Sequence, residues 1–567
     1  MISRLKNIKI NTFLDIYLNI YLKNIVQYLL CSLMFIIPVA WWTRLNANYY
    51  STKLTLFFLA GALAWLVIPN QISIPKFPRA ILLSLLVIIT FQVGYHVYAF
   101  QLYDFLYIFK FLSFCALILW LYSLNLDLEN VFKKTSYIIF LTVITILAIS
   151  LYEFYETRIN NLSTDISTLL STFGNVNMFA EFFLLTLPFL FHWTRYRDKI
   201  PQWFKLIIFS CWIFFILYCR SRSAWLGLGL WLVLVLRYKI VKKELFFVVL
   251  SFVLYFACMY APANQNNIVA VKDNNTAARL ALYESTLQMI KDHPWGIRVG
   301  RFMGEIEPYQ MESSFKPSEY NYFDQPHSEF LKWGAQFGWV FLAAAGVFFF
   351  AVIFQLGKWV FTGKNFFLVG SFAVLLPEIL FQFPFENPAS LIYLSLVFAL
   401  FFQQFVSNKK FHVHFSFRPI AYILFLAGLY SAFGFVNSVY QESTIPRNEN
   451  IVAACEYYPI NVKACHAKLT YYLDSKKYDS FVSDFKVDFM KEPFFVDYLR
   501  LLPTYYSIKQ NNKKTCESLF LYKTIFPEQK AFENKYYDNC KGFTNLFYFE
   551  NPKQFKAKYL IWLDNLN

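Results

Sequence analysis

Charge is scarce in this chain. Of its 567 residues only 16% are Asp, Glu, Lys or Arg, against 57% hydrophobic and 21% aromatic. That scarcity excludes an ordinary soluble globular protein and points to many membrane spans. Histidine is rarer still, with seven in all. His96, His192, His293, His412, His414 and His466 are scattered without metal-ligand spacing, so no metal site is expected. Glycine is sparse too, and the Gly-x-Gly in WLGLGLW (225–231) follows no strand. A nucleotide-binding loop is therefore excluded, which leaves small residues packing a span. A leader-type cleavage site of small residues is missing after the first apolar stretch, which runs on into more spans and reads as a span itself.

What the chain has in quantity is apolar runs of about 17 to 25 residues, the length that crosses a hydrocarbon core. They recur about 12 to 13 times, the first centred on 26–42, the third on 80–99 and the last on 419–439. Lys and Arg divide unevenly between alternate loops. With a cytoplasmic N-terminus the inner loops carry Lys76, Arg79, Lys133, Lys134, Arg195, Arg197, Lys242, Lys243, Lys409 and Lys410 among others. The short outer loops hold only Arg44, Lys53, Arg158, Arg220 and Arg222. This positive-inside bias places the long loop 262–329 and everything after about residue 440 outside the cytoplasm. It also accounts for most of the formal charge of +16, so nucleic acid is not an expected partner.

The exported tail reads as a separate unit. Pro459, Pro493 and Pro527 are spaced 34 residues apart, and Tyr472 and Tyr506 repeat at the same interval, as do Phe485 and Leu519. That period resembles tetratricopeptide repeats and implies stacked helical hairpins, serving either as a platform for a partner or as a cap on the membrane core. Five of the nine cysteines lie in or beside spans. The other four, in the tail, permit two disulfides in an oxidising compartment, and the sequence-local pairing of Cys455 with Cys465 and Cys516 with Cys540 is the expected one.

The outer-face arginines break the charge rule and need a reason. Arg220 and Arg222 stand in a very short turn directly before a span, and Arg279 opens a helical stretch, TAARLALYESTLQMIKDHPWG, that Pro294 stops. In that stretch Leu280, Tyr283, Leu287 and Ile290 fall on one side. Guanidinium groups at the outer membrane face suit a polyanion held at that depth, such as a lipid pyrophosphate. An arginine at a span end also simply snorkels to lipid headgroups. His327, at the lip of the next span, titrates near neutrality and suits a base that takes a proton from an attacking hydroxyl. A lone histidine there is also an ordinary interfacial residue. Lys110, Glu181, Lys332 and Glu378 are the charges inside spans; Lys332 and Glu329 lie within a turn of His327, either as part of a site or as a helix-end ion pair.

Four stretches occur in order: STFGNVNMFAEFFLLTLP (171–188), SRSAWLGLGLW (221–231), RLALYESTLQMIKDHPWGIRVGRF (279–302) and QPHSEFLKWGAQFGWVF (325–341). Together they resemble the O-antigen ligase superfamily, which includes O-antigen polymerases and bacterial O-linked protein oligosaccharyltransferases (pilin glycosylation ligases). LFQFPFENPASLIY (380–393) and the exported tail are most similar to the protein-glycosylating branch. Two departures are visible: Ser328 stands where the family usually has asparagine, and no acidic residue precedes the glycine of AQFGWVF.

The resemblance implies an all-α polytopic membrane protein of the bacterial inner membrane, with a large periplasmic loop and a periplasmic helical domain. Its expected parts are an N-terminal bundle (1–170), a catalytic membrane core (171–406), a last span (407–439) and the repeat-like tail (440–567). Arg222 and Arg279, with Arg220, would bind the pyrophosphate of a polyprenyl (undecaprenyl) linked glycan. His327 would be the acceptor-activating base, and Asn175, Asn177 and Glu329 would line the site. The reaction it implies is transfer without cofactor or metal, with inversion at the sugar carbon, to a Ser or Thr hydroxyl of pilin or another exported protein. An O-antigen ligase or polymerase would use the same donor with a saccharide acceptor. A transporter of lipid-linked sugars predicts two similar halves, and none is seen.

Overall fold

A computed structural model describes residues 49–68, 71–75, 102–124, 128–156, 173, 175–196, 199–238, 242–259, 272–298, 302–310, 325–404, 410–414, 462–491 and 496–525, with isolated positions around 29–39, 425–429, 452–455 and 540. The body is helical. In chain order come α1 (Tyr49–Val67), α2 (Leu102–Ser123), α3 (Leu128–Tyr155), α4 (Val176–Arg195), α5 (Gln202–Tyr218) and α6 (Arg222–Arg237). Then follow α7 (Lys242–Met259), α8 (Lys272–Asp292), α9 (Phe302–Gln310), α10 (Glu329–Thr362), α11 (Phe366–Phe381) and α12 (Pro388–Gln404).

Among the described residues three helical stretches are long and apolar enough to cross a membrane: Tyr137–Tyr155, Val176–Arg195 and Glu329–Thr362. Shorter apolar helices stand beside them, among them Gln202–Tyr218, Phe366–Phe381 and Pro388–Gln404. The chain is a multi-pass membrane protein. The expected spans at 26–42, 80–99 and 419–439 lie wholly or largely outside the described residues.

The helix at the centre is α12, apolar all round, as a helix with neighbours on every side must be. Every residue from Pro388 to Phe402 is buried. It packs on α1, α2, α4 and α11. At the periphery the same apolar residue types face outward: Leu226, Val233, Phe350, Phe354 and Phe361 are exposed, the surface a bilayer covers. Trp212 of α5 stacks on Phe183 of α4 with centroids 3.7 Å apart, and its Nε1–H donates to the Phe183 carbonyl at 2.8 Å. The small-residue reading of WLGLGLW holds for Gly227, where an added Cβ would lie 2.6 Å from Leu184. Gly229 has no such neighbour.

Among the described residues one short two-stranded ribbon is not helical. β1 (Gln71–Pro75) pairs antiparallel with β2 (Lys410–His414), from Gln71 opposite His414 to Pro75 opposite Lys410. The ribbon joins two loops that the distribution of Lys and Arg assigns to the same side of the membrane.

The tail folds as the 34-residue period demands. Its helices are α13 (Val462–Asp474), α14 (Tyr478–Lys491), α15 (Val496–Ile508) and α16 (Asn512–Ile525). The second hairpin repeats the first at an offset of 34 at each boundary: 462 to 496, 474 to 508, 478 to 512 and 491 to 525. Tyr472, Phe485, Tyr506 and Leu519 are all buried, as repeat positions should be. Phe481 stacks on Tyr505 between the two hairpins at 4.9 Å. Cys455 is bonded to Cys465 and Cys516 to Cys540, the sequence-local pairing. The three prolines of the period lie outside the described residues.

Candidate functional site at the mouth of the bundle

Three separate stretches of chain converge at one end of the membrane core. The first is the turn between α5 and α6. Cys219 closes α5, Arg220 takes a left-handed φ of 53°, and α6 begins on Arg222. Arg220 is therefore not on the same helix as Arg222. The first turn of a helix presents unsatisfied N–H groups and partial positive charge, so Arg222 adds its cation to an end that already attracts anions. Ser223 ties that end inward by donating to Glu378 Oε2 of α11 at 3.1 Å.

The second stretch is α8, which brings Arg279 and, one turn later, Tyr283. Burial and then the neighbouring Arg222 lower the Arg279 pKa, with Tyr283 opposing them. Two guanidinium groups from different elements thus stand close enough to repel each other, an arrangement an anion between them relieves. The face that α8 buries matches the expected set only in part, at Ile290 and at the half-buried Tyr283. Leu280 and Leu287 are exposed, whereas Ala281, Leu282, Ser285, Thr286, Met289 and Ile290 are buried. Small residues allow α8 to lie close on α9 and α10, and a search for large apolar side chains overlooks them.

The third stretch carries His327. Its backbone is left-handed, with φ 49°, a conformation that costs a non-glycine residue about 1–3 kcal/mol and persists only when its surroundings hold it. The Tyr283 hydroxyl donates to the His327 carbonyl at 3.1 Å and supplies part of that hold. Ser328 then caps α10, its hydroxyl accepting from Leu331 N–H at 3.5 Å, a task asparagine performs equally well. The imidazole is half-buried and lies 5.5 Å from the Phe383 ring. Burial, then the Arg279 charge, push its pKa down to about 4, with Gln382 pulling the other way. At neutral pH it is an uncharged base.

A main-chain seam fixes α8 against α10. Ile297 N–H donates to the Ala335 carbonyl at 2.8 Å and Trp339 N–H to the Pro294 carbonyl at 3.0 Å. α10 breaks there, at Gly338 with φ 78°. A Cβ on Gly338 would lie 2.3 Å from the Pro294 oxygen, and one on Gly296 2.3 Å from the Gln336 oxygen. The glycines of DHPWG and AQFGWVF are thus two halves of one joint.

Beneath the mouth lies a buried layer of charge. Glu386 accepts from both Lys110 of α2 and Lys332 of α10. Glu329 accepts from Phe385 N–H at 3.0 Å, and Glu181 accepts from the Ser390 hydroxyl at 2.7 Å. Among the described residues no group of three or more His, Cys, Asp or Glu is placed to hold a metal ion.

Arg222, Arg279 and His327 therefore share one mouth, with Arg220 in the adjoining turn. Asn175 is occupied at the N-cap of α4, accepting from Asn177 N–H at 2.8 Å and Met178 N–H at 3.4 Å, and Asn177 is half-buried beside it. Glu329 turns inward to the buried layer. Sequence reasoning missed Tyr283 as a polar group, Gln382, and the carboxylate partner of Lys110 and Lys332. A paired lysine in an otherwise apolar span was the available signal for that partner.

The fold and this mouth define a class: a polytopic membrane protein that gathers cations and a neutral imidazole at one end of its helical core. The family described as O-antigen ligase matches residues 207–345, from α5 through the first half of α10 and about a quarter of the chain. That match supports membership of the O-antigen ligase superfamily and a ligase-like glycosyltransferase acting on polyprenyl-linked glycans. No curated protein matches the chain.

Proposed function

We propose that the protein transfers a glycan from polyprenyl pyrophosphate to a Ser or Thr hydroxyl of an exported protein such as pilin, at the outer face of the bacterial inner membrane. The observation that carries this reading is the convergence of Arg222, Arg279 and His327 from three segments of chain. Arg279 and Arg222, with Arg220 and the N-terminus of α6, hold the donor pyrophosphate. The acceptor hydroxyl gives its proton to the neutral His327 imidazole as its oxygen bonds to the anomeric carbon of the sugar. The bond from that carbon to the pyrophosphate oxygen breaks, and its electron pair leaves on the pyrophosphate, where the arginines stabilise the charge. Attack opposite the leaving group inverts the sugar carbon. His327 then returns the proton to water.

Two features support a protein acceptor and an exported tail. The two tail disulfides are of the kind an oxidising compartment sustains. The paired hairpins of α13–α16 belong to an architecture that binds extended partners. In this reading residues 1–170 form an N-terminal bundle, 171–406 the catalytic core, 407–439 the last span and 440–567 the periplasmic domain that presents the acceptor. The test is reconstitution of purified protein with polyprenyl-pyrophosphate glycan and pilin, beside His327→Ala and Arg222→Ala. Transfer to pilin by the wild type alone is expected. Transfer only to a lipid A core or to another glycan would move the assignment to an O-antigen ligase or polymerase.

A further inference from the structure

Where α6 meets α11 the contacts climb in steps of one helical turn. A Cβ on Gly370 would lie 3.3 Å from the Trp231 indole, and one on Gly227 would lie 3.3 Å from the Val374 carbonyl oxygen. One turn nearer the mouth the same series reaches Ser223 and Glu378. There packing gives way to the 3.1 Å hydrogen bond from the Ser223 hydroxyl to Glu378 Oε2. The Ser221 hydroxyl lies 3.1 Å from that of Ser223, whose own proton points to the carboxyl group, so Ser221 donates. All three side chains are buried, Glu378 completely.

Helix pairing does not call for a carboxyl group at that step. Glycine contacts already let α6 and α11 approach closely, and one more small or apolar pair would continue them. An ionisable side chain wholly buried in a span is costly instead. Of its two oxygens, only Oε2 has a hydrogen-bond partner among the described residues. What the link gains is geometry. The Glu378 side chain holds the first turn of α6, on which Arg222 stands. Its main-chain carbonyl accepts from the Gln382 N–H at 2.8 Å and closes the end of α11. Directly beyond comes Phe383, whose ring lies 5.5 Å from the His327 imidazole. The neighbouring Trp225 ties α6 elsewhere, its Nε1–H donating to the Leu217 carbonyl of α5 at 3.2 Å and its ring meeting Tyr255 of α7.

We propose that Glu378 is a positioning residue for Arg222. Through Ser223 it sets where the arginine-bearing end of α6 stands relative to the imidazole, and so how pyrophosphate and acceptor hydroxyl are spaced across the sugar carbon. This rests on the reading of Arg222 as a donor ligand and His327 as the base. The link asks only that residue 378 offer an acceptor to Ser223, which an amide oxygen also is.

The experiment is glycan transfer by the full-length reconstituted protein, with kcat and donor KM measured for wild type, S223A, E378L, E378Q and R222A, and for S223A and E378L each combined with R222A. S223A and E378L are each expected to lower kcat by roughly 10-fold or more, as misplacement of one reacting partner does. E378Q should stay close to wild type. In the R222A background S223A and E378L should cost nothing further, because they act through that arginine. A defect in packing alone would slow R222A as much as wild type, and that result overturns the proposal. So does E378Q as slow as E378L, which would trace the effect to charge. S223A leaves the carboxyl group in place and carries the test where E378L does not fold. Wild-type kcat in S223A, with R222A impaired, overturns this proposal and leaves the donor reading standing. Undiminished transfer by R222A overturns the role of Arg222 and this proposal with it.

Discussion

Two layers of charge, one at the mouth and one beneath it, contrast in every respect that matters. Beneath, Lys110, Lys332 and Glu386 are buried, opposite in sign and in contact, on α2, α10 and the turn before α12. At the mouth, Arg222 is exposed, Arg279 is partly buried, and the two are alike in sign and near enough to repel. Charges that satisfy each other hold helices in register; like charges held together by the fold leave a repulsion that an anion between them would relieve. The difference separates scaffold from site more clearly than position along the sequence does.

Four experiments bear on that contrast. The largest expected effect lies below the mouth. Glu386→Leu strands two buried ammonium groups and should cost about 3–5 kcal/mol, read as a large fall in melting temperature in detergent. Adding Lys110→Met and Lys332→Met should recover most of the loss. A Glu386→Leu protein as stable as wild type would sink the scaffold assignment. At the mouth the pattern should invert: Arg279→Gln should leave the melting temperature near wild type while lowering transfer by about 10²–10³-fold, the usual effect of removing one donor to a developing charge.

Next in size is the tail. By loop-closure entropy each disulfide should contribute about 3 kcal/mol to the hairpin domain, so reduction should loosen α13–α16, seen by limited proteolysis, while the membrane core keeps its melting transition. The smallest effect is in pH. The imidazole proposed as the base is neutral, and its pKa is depressed to about 4. Transfer should therefore hold level from about pH 8 down to about pH 5 and fall only as protonation sets in below. A fall already near pH 6.5, the ordinary histidine value, would show a solvent-exposed ring instead.

Much of this was legible in the sequence, for reasons that vary by element. The tail period could be read because each hairpin must bury the same positions, and Tyr472, Tyr506, Phe485 and Leu519 duly sit inside. Arg222 and Arg279 stood out because cations in loops otherwise poor in them violate a rule the rest of the chain obeys, and His327 because it stands at the lip of a span. The packed face of α8 was misread because Ala281 and Ser285 carry no hydrophobic signal, although their small size is what lets the helices approach. The link between Glu386 and Lys110 spans 276 residues and leaves no local trace.

The seam between Pro294–Ile297 and Ala335–Trp339 uses only main-chain atoms. Its hydrogen bonds need no side chain, and Gly296 and Gly338 leave room for none, while Ile297 and Ala335 pack into the buried cluster with Leu282, Met289 and Ile290. Natural drift can thus rewrite the exposed residues nearby while Gly296 and Gly338 stay in step. An engineer can do the same, exchanging the segment around α8 between related chains as a cassette. The graft should seat wherever both glycines travel with it, and fail where either one is left behind.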